Sequence, residues 1–250
     1  MPASSHSATQ GPQRILVATP AGPRAFHHRG TVADRGVVGQ TFGHKPGKVA
    51  AAPPRHGRLK LFGSQILARG RRPLILDLGA NIGATAMRYA VHFPDARVIA
   101  LEPHEGNAEL ARRNTVGLDV DVRVAAIGPR RGEARIANPD GEEWGFRVSE
   151  SGTGPAVPVT TIPALIEEAG QQGLLPFILK CDVEGTERDL FDADSAWFDD
   201  FAMVSCEPHD WMGRRWLTIN GFLRAHLRTP RQLLIQGDNL LSLALPPPEG

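Results

Sequence analysis

The sequence has little of what a covalent or metal framework requires: among its 250 residues there are two cysteines, Cys181 and Cys206. A disulfide scaffold or a structural zinc site needs more ligands at closer spacing. We therefore predict that both cysteines are core residues on neighbouring strands. The simplest setting for such a protein is a reducing cytoplasm.

Net charge is nearly absent as well, because 28 Lys and Arg stand against 27 Asp and Glu, a formal charge of +1. Such a chain has no long-range field to attract nucleic acid or an anionic membrane. No stretch approaches the roughly 20 consecutive apolar residues of a membrane-spanning helix. The first dozen residues also lack the basic start and apolar run of a secretory signal. We predict neither a nucleic-acid partner nor a membrane partner.

The hydrophobic content of 41% is enough for a proper core, and the length suggests one catalytic-sized domain. We predict a disordered lead-in over residues 1–13 and an N-terminal accessory segment over 14–71. That segment contains a strand at Arg14 to Ala18 and a short helix for which Asp34 is a candidate cap. The main domain is predicted to cover residues 72–250.

From Arg72 onward, short apolar strands alternate with helices of about ten residues, which predicts an α/β fold with a mostly parallel sheet. Another helix is predicted in TTIPALIEEAG, capped by Thr160 or Thr161. The last two strands, joined around Gly237 and Asp238, predict a hairpin that adds an antiparallel strand. The polar residues 138–156 are predicted to form a lid or substrate loop or, equally, a solvated hairpin. The predicted strands lie in LILDLG, RVIALEP, DVRVAAIG, PFILKCDVEG and FAMVSCEPH.

The loop DLGANIG after the first of these strands lies where ligands bind in doubly wound sheets. A dinucleotide fingerprint requires G-x-G-x-x-G, and Asn81 stands at the position of its second glycine. S-adenosylmethionine has no phosphates and fits better. It needs an anion for its ammonium, backbone N–H groups for its carboxylate and an acid for its ribose. Asp77, the loop 79–83 and Glu102, which ends the next strand, are predicted to supply these three.

A second group of charges lies at two other strand ends, where Lys180, Asp182 and Glu184 alternate and Glu207 and His209 follow the next strand. A bland interpretation is a lysine–carboxylate pair, with Glu187 favouring the positive N-terminus of the following helix. That interpretation does not account for four charges within eight residues. Asp182, Glu207 and His209 are also conceivable metal ligands, but no tight ligand spacing supports this, and we predict no metal.

Taken in order, the runs DLGANIG, LEPHEGNAELARRN, LKCDVEGTE and CEPHDWM resemble the FkbM-type family of S-adenosylmethionine-dependent methyltransferases. The resemblance extends from about Thr31 to Leu243, and GDN at 237–239 is similar to a G-E-N run of the family. It implies a Rossmann-like class I methyltransferase fold with an antiparallel strand near the C-terminus. It also implies O-methylation of hydroxyls on sugars or secondary metabolites.

The resemblance implies a role for each matching residue. The cofactor loop contains Asp77, Gly79, Asn81 and Gly83. Glu102 matches the ribose-binding acid, and Asp182 lies on the strand end that faces the methyl group. One departure is Thr161-Ile162-Pro163, where the family often has T-L-D, so any role of that aspartate is absent. Cys181 stands where Ile is frequent, a change compatible with the core. The matching positions are Asp77, Gly79, Asn81, Gly83, Glu102 and Asp182.

Methyl transfer requires alignment of a nucleophilic oxygen with the methyl carbon and removal of its proton. We predict His209 or Asp182 as the general base, with Lys180 and Glu207 holding the charge network. Trp144, Phe146 and Trp211 are candidate stacking surfaces for a hydroxylated small-molecule acceptor, although loop aromatics more often cover the core. The alternatives are a cofactor-binding protein without transfer activity and a dehydrogenase. The sequence predicts neither the acceptor's identity nor the oligomeric state.

Overall fold

The computed structural model of the chain describes residues 13–43, 55–137, 148–149, 152–210 and 218–246. Trp144, Phe146 and Trp211, the candidate stacking residues, lie outside these ranges. Within the described parts, a seven-stranded sheet carries helices on both faces, and two smaller sheets lie beside it. None of the described helices is long and apolar enough to span a membrane.

The N-terminal part forms an antiparallel hairpin, β1 (Gln13–Thr19) and β2 (Gly22–His28), followed by helices α1 (Val32–Phe42) and α2 (His56–Ala68). The predicted strand and helix are present, but Asp34 is not the cap. Thr31 caps α1 by accepting a hydrogen bond from the Asp34 amide at 3.2 Å. The carboxylate of Asp34 instead binds Arg29 at 2.8 Å, because it lies inside the first turn, beyond the capping position.

The predicted alternation follows, as two strand–helix units and a third strand. These are β3 (Arg72–Leu78), α3 (Ala84–His92), β4 (Arg97–Leu101), α4 (Glu105–Asn114) and β5 (Val120–Arg123). In β3, Leu74, Leu76 and Leu78 pack into one core cluster while Ile75 packs into another, so both faces of the strand are covered. This burial on both sides is typical of a parallel sheet between two helical layers.

The run DVRVAAIG, predicted as one strand, is two. It breaks after β5, and β6 (Ala126–Ile127) pairs in a separate small sheet with β9 (Ala156–Thr160). That sheet also contains β7 (Gly132–Ile136) and β8 (Val148–Ser149), in the order β6-β9-β7-β8. The single-strand prediction was wrong because two apolar stretches joined by Val124 and Ala125 have the same alternation as one longer strand.

The second half supplies the rest of the large sheet and its other helical layer. Thr161, one of the two predicted caps, accepts from the Ala164 amide at the start of α5. A 3-10 helix at Ala196–Asp200 precedes β11. The elements are α5 (Ile162–Gln171), β10 (Leu174–Cys181), α6 (Glu187–Asp192), β11 (Met203–Cys206), α7 (Thr218–His226), β12 (Arg231–Gln236) and β13 (Asn239–Ala244).

The order of the large sheet is β12-β13-β11-β10-β3-β4-β5, and β13 runs antiparallel to both of its neighbours. From β3 the chain moves outward through β4 and β5 and then returns to β10 on the other side. Strand order therefore reverses between β3 and β10, where an open α/β sheet binds its ligands. Cys181 and Cys206 are register partners on β10 and β11, buried and free, as predicted.

The N-terminal hairpin and α1 pack over the start of α3. Val17, Phe26 and Phe42 form a buried cluster with Ile82 of the DLGANIG loop and Met87 of α3. This packing places α1 beside the carboxyl ends of β3 and β10.

Candidate active site

Three residues of the loop after β3 have a left-handed backbone conformation, with positive φ. Gly79 has φ +79°, Asn81 has φ +49° and Gly83 has φ +82°. A side chain on Gly79 would place its Cβ 1.7 Å from the backbone oxygen of Asp182, and one on Gly83 would meet Ala111 of α4 at 2.8 Å. The glycines therefore allow close approach between chain segments. Asparagine tolerates positive φ better than most residues, which suits position 81.

Glu102 lies directly after β4 and faces this loop. One carboxylate oxygen accepts from the Asn81 amide and the other from the His104 amide, both at 2.9 Å. Only 4% of the residue is exposed, and this burial raises the pKa of Glu102 to about 7, although the two amide hydrogen bonds oppose the shift. The side chain is thus fixed in direction, and a ligand that donates hydrogen bonds would favour its ionised form.

Asn107 was not predicted from the sequence, yet it completes this part of the site. It lies in the first turn of α4, is 1% exposed, and its amide nitrogen donates to Glu102 at 3.5 Å. Its oxygen accepts from Arg29 at 2.8 Å, which links the N-terminal segment to the site. The only sequence signal was a polar residue one turn after a predicted ligand-binding acid.

Lys180 connects β10 to the loop after β3. Its ammonium donates to the carbonyl of Gly79 at 2.6 Å and forms ion pairs with Asp182 at 3.2 Å and with Asp77 at 3.5 Å. Burial by itself would lower the pKa of Lys180, but the charges of Asp182 and Asp77 raise it above its usual value. Lys180 is therefore a buried cation that ties the two strand ends together.

Asp77 is fully buried, and burial raises its pKa while the charge of Lys180 opposes that shift. It was predicted to bind the ammonium of a ligand. In the structure, the ammonium beside it is that of Lys180, since β3 and β10 pair in register at these two residues.

His209 lies after β11 in the centre of a group of carboxylates. Its Nδ1 is 2.7 Å from Glu187, and its Nε2 is 3.5 Å from Glu184 and 3.8 Å from Asp182. Burial lowers the pKa of His209, but the hydrogen bond and charge of Glu187, followed by the charges of Glu184 and Asp182, raise it to about 9.

Glu187 was considered in the sequence only as a helix N-terminal acid. It is fully buried, and its two oxygens accept from the amides of Val183 and Gly185 at 2.9 and 2.8 Å. The side chain thus turns back onto the preceding loop and orients His209. The recurrence of acids at 182, 184 and 187 was the available signal.

Two clefts open at this edge of the sheet, one on each side of the loop after β3. The first, the Glu102 cleft, is lined by Gly79, Asn81, Leu101, Glu102, Asn107 and Ile127, among others. The second, the His209 cleft, has a volume of about 460 Å³ and lies between α1 and the strand ends. Its polar lining includes Lys180, Asp182, Glu184, Glu207 and His209. Asp182 and Glu184 line both clefts.

A third cleft of about 320 Å³ continues from the His209 cleft, with which it shares Lys180, Asp182 and Glu207. It reaches the turn between β12 and β13, where Asn239 donates a hydrogen bond to Glu207 at 3.3 Å. Burial raises the pKa of Glu207, which this hydrogen bond and the charges of His209 and Lys180 partly oppose.

Most of the predicted site residues therefore lie together: Gly79, Asn81 and Glu102 on the first cleft, and Lys180, Asp182, Glu207 and His209 on the second. Asp77 lies beneath Lys180, and Gly83 packs against α4.

Among the described residues, Asp182, Glu187 and His209 have ligand-type atoms within 4.8 Å of one another. Glu207, which belonged to the alternative metal set considered from the sequence, is not in this group. Both oxygens of Glu187 already accept backbone amides, and one also binds His209. These internal contacts account for the cluster, and we assign no ion to it.

Comparison with known proteins matches residues 77–233, more than half of the chain, to the family described as the methyltransferase FkbM domain. The chain belongs to the FkbM methyltransferase family. The resemblance carried by DLGANIG and the K-x-D-x-E-G-x-E run is confirmed, and so is the predicted Rossmann-like class I methyltransferase fold. FkbM methyltransferases use S-adenosylmethionine, so the predicted cofactor is confirmed as well. Family membership does not support the dehydrogenase alternative.

The FkbM chain is also similar to individual proteins of known sequence or structure. A stretch of 82 residues, 33% of the chain, is 37% identical to a release factor glutamine methyltransferase of Mycolicibacterium smegmatis, but it spans only 28% of that relative. An O-methyltransferase from Bacillus cereus, solved in complex with SAH, is 15% identical, with 78% of this chain and 84% of that chain covered and a TM-score of 0.39. A putative O-methyltransferase from Klebsiella pneumoniae is 14% identical, with 85% and 87% covered and a TM-score of 0.41. The family assignment rests on the FkbM match.

The residues of the Glu102 cleft fit the cofactor of the FkbM family. The buried carboxylate of Glu102 faces the cleft and is an acceptor suited to the two hydroxyls of a ribose. Leu101, Ala125 and Ile127 supply an apolar wall suited to a flat base. S-adenosylmethionine has no phosphates, so its binding does not require the second glycine of the dinucleotide fingerprint. Asn81 at that position is compatible with this cofactor.

Proposed function

We propose that this protein transfers a methyl group from S-adenosylmethionine to a hydroxyl of a small molecule, a sugar or a secondary metabolite. The observation that carries the proposal is the meeting of two clefts at Asp182 and Glu184. One cleft suits a nucleoside, and the other is a larger polar space. A methyl donor and an acceptor in these two clefts would face each other at the charged strand ends.

The cofactor residues follow from this arrangement. We assign Glu102 to the ribose hydroxyls, and the loop of Gly79 and Asn81 to the amino-acid end of the cofactor. Asp77 and Gly83 act indirectly, since Asp77 holds Lys180, and Gly83 allows α4 to approach the loop. Lys180 in turn holds the carbonyl of Gly79 at 2.6 Å, which fixes the loop for binding.

The transfer requires positioning of the acceptor oxygen and removal of its proton, and a general base supplies a factor of about 100 to 10,000 in rate. The proton acceptor belongs to the group of Asp182, Glu184, Glu207 and His209, whose side chains line the His209 cleft. We assign Lys180 and Glu207 to holding this network, Glu207 through its hydrogen bond from Asn239. The cofactor supplies the electrophilic methyl group when bound.

Calorimetric titration with S-adenosylmethionine, S-adenosylhomocysteine and NAD tests the cofactor assignment. The first two should bind and NAD should not. Glu102→Ala and Asp77→Ala should weaken binding, the first by direct loss of an acceptor and the second through Lys180. The exposed Glu109→Ala on α4 is the matched control. Binding of NAD alone, or equal binding by all variants, would mean that the loop after β3 has been misinterpreted.

Transfer itself is tested by formation of S-adenosylhomocysteine with a panel of hydroxylated acceptors, such as methyl glycosides and phenols. Failure to convert any of these acceptors at any pH, in a protein that binds S-adenosylmethionine, would favour the alternative of a binding protein without transfer activity.

The buried, free thiols of Cys181 and Cys206 support a reducing compartment, and we place the protein in the cytoplasm on that ground.

A further inference from the structure

The ring of His209 is enclosed by acids on both sides. Glu187 contacts Nδ1 at 2.7 Å, while Glu184 and Asp182 lie 3.5 and 3.8 Å from Nε2. The side chain of His209 is 4% exposed, so solvent screens these charges little. Three carboxylates around one imidazole favour its charged form, in agreement with a pKa of about 9. An imidazolium carries protons on both nitrogens and has no lone pair with which to accept another.

Glu187 fixes this state of His209 and takes no part in either cleft. Its carboxylate has no exposed surface and accepts two backbone amides from the loop before α6. These hydrogen bonds hold the oxygen that faces Nδ1. Glu187 is thus a positioning residue for His209, and the proton acceptor must be sought among the carboxylates that line the clefts.

Apart from Glu102, which is assigned to the cofactor, three described carboxylates line the Glu102 cleft or the His209 cleft, and their surroundings differ. Asp182 has the Lys180 ammonium at 3.2 Å, so a cation already balances its charge. Glu207 accepts from Asn239, and it lines the His209 cleft and the third cleft but not the Glu102 cleft. Glu184, like Asp182, lines both the Glu102 cleft and the His209 cleft, and the cationic group beside it is the ring of His209 at 3.5 Å.

Glu184 also has unusual geometry for a surface loop. Its backbone has φ +54°, a region that residues other than glycine, Asn and Asp seldom occupy. One of its oxygens is buried without a hydrogen-bond partner, although the Nε2 of His209 lies 3.5 Å away. A strained residue with an unused acceptor at the meeting point of two clefts is typical of a functional group.

We propose that Glu184 is the general base of the methyl transfer and that His209, held as an imidazolium by Glu187, positions its carboxylate. This inference rests on the proposed function. As the acceptor oxygen bonds to the methyl carbon, the bond from that carbon to sulfur breaks, and its electron pair stays on sulfur. The hydroxyl proton passes to the carboxylate of Glu184. After the products leave, Glu184 releases that proton to water.

The charges that face Glu184 suit this task. Burial raises the pKa of Glu184 to about 7; the charge of His209 opposes the shift, and those of Asp182, Glu187 and Glu207 add to it. A base with a pKa near the working pH is half ionised and still strong enough to accept a proton. This assignment replaces the prediction of His209 or Asp182 as the base.

The test begins with two NMR titrations that need no acceptor. In protein labelled with ¹⁵N in its histidine rings, the His209 signal is identified by its loss in His209→Gln. We expect it to be doubly protonated at pH 7.5 and to lose a proton near pH 9, and to do so at lower pH in Glu187→Gln. A neutral His209 ring at pH 7.5 in the wild-type protein would overturn the proposal, because that ring would then be available as the base.

The second titration follows the side-chain carboxyl carbon of Glu184 in ¹³C-labelled protein, identified by its loss in Glu184→Gln. We expect its midpoint near pH 7, and a midpoint near the ordinary 4.5 would count against the base assignment. Calorimetry with S-adenosylhomocysteine checks each variant for an intact cofactor site. A wild-type protein that does not bind S-adenosylhomocysteine would contradict the proposed function. A midpoint for Glu184 near 4.5 in a protein that does bind it would contradict only the present inference.

Turnover with any acceptor found in the panel gives the third result. Glu184→Gln should lower kcat about 100-fold or more, with S-adenosylhomocysteine binding unchanged within about threefold. Glu184→Asp should recover part of the rate. The exposed Glu167→Gln on α5 is the matched control and should behave as the wild type. A Glu184→Gln variant with full turnover would refute the assignment.

Discussion

Replacement of Glu102 by glutamine changes a buried charge whose cost can be worked out from the structure. The carboxylate is 4% exposed, and burial raises its pKa to about 7 from a reference value of 4.5. Because the pKa is higher in the folded protein, folding favours the protonated form. The stability that this group contributes is fully present below pH 4.5 and is lost as the pH rises through 7.

The difference of about 2.5 pKa units corresponds to about 3 kcal/mol of unfolding free energy. Glutamine has no charge to bury, so Glu102→Gln should not show this loss. The NH₂ group of glutamine has no lone pair for one of the two backbone N–H groups of Asn81 and His104, whereas both oxygens of the carboxyl group have one in either protonation state; this difference costs the variant about 1 kcal/mol at every pH. The variant should therefore be the less stable protein at pH 4.5 and the more stable one at pH 8.

Urea unfolding of both proteins at several pH values from 4.5 to 8 measures this difference directly. Glu109→Gln, at an exposed position of α4, is the control, and its unfolding free energy should have the same pH dependence as that of the wild type. A difference between wild type and Glu102→Gln that stays constant over this range would refute the reasoning. S-adenosylhomocysteine should bind the wild type more tightly as the pH rises through 7, since hydroxyl donors favour the carboxylate.

Three further predictions concern other parts of the site. Gly79→Ala should destabilise the protein by about 3 kcal/mol or more, because its Cβ would lie 1.7 Å from a backbone oxygen, whereas Gly132→Ala meets nothing within 4 Å and should unfold like the wild type. His209→Gln should have a lower unfolding free energy than the wild type at pH 6. This difference should disappear as the pH rises through 9, because the raised pKa of His209 stabilises the fold only while the ring is charged. Gly36→Phe should fill the 460 Å³ cleft from α1 and abolish methyl transfer, measured as turnover. Binding of S-adenosylhomocysteine, measured by calorimetry, should stay intact. The control variant Gly57→Phe on α2 should change neither turnover nor binding.

Local sequence signals were sufficient for the frame of the protein. The alternation of apolar strands and helices from Arg72 onward, and the glycines and asparagine of the loop after β3, are short-range patterns that depend on backbone periods and steric limits. They predicted the sheet, the antiparallel strand and the side of the sheet on which Glu102 and Asp182 lie. They failed in DVRVAAIG, because a break between two sheets leaves no mark on a two-residue period.

By itself, then, the sequence determined the fold, the family and the cofactor, since each of these depends on residues close together in the chain. Only the tertiary structure decided the state of the charges. The enclosure of His209 by Glu184 and Glu187, and the cover of Asp77 by Lys180, arise from strands and helices that meet at the point where strand order reverses. Burial and distance set which group holds a proton, and neither is written in the spacing of residues along the chain.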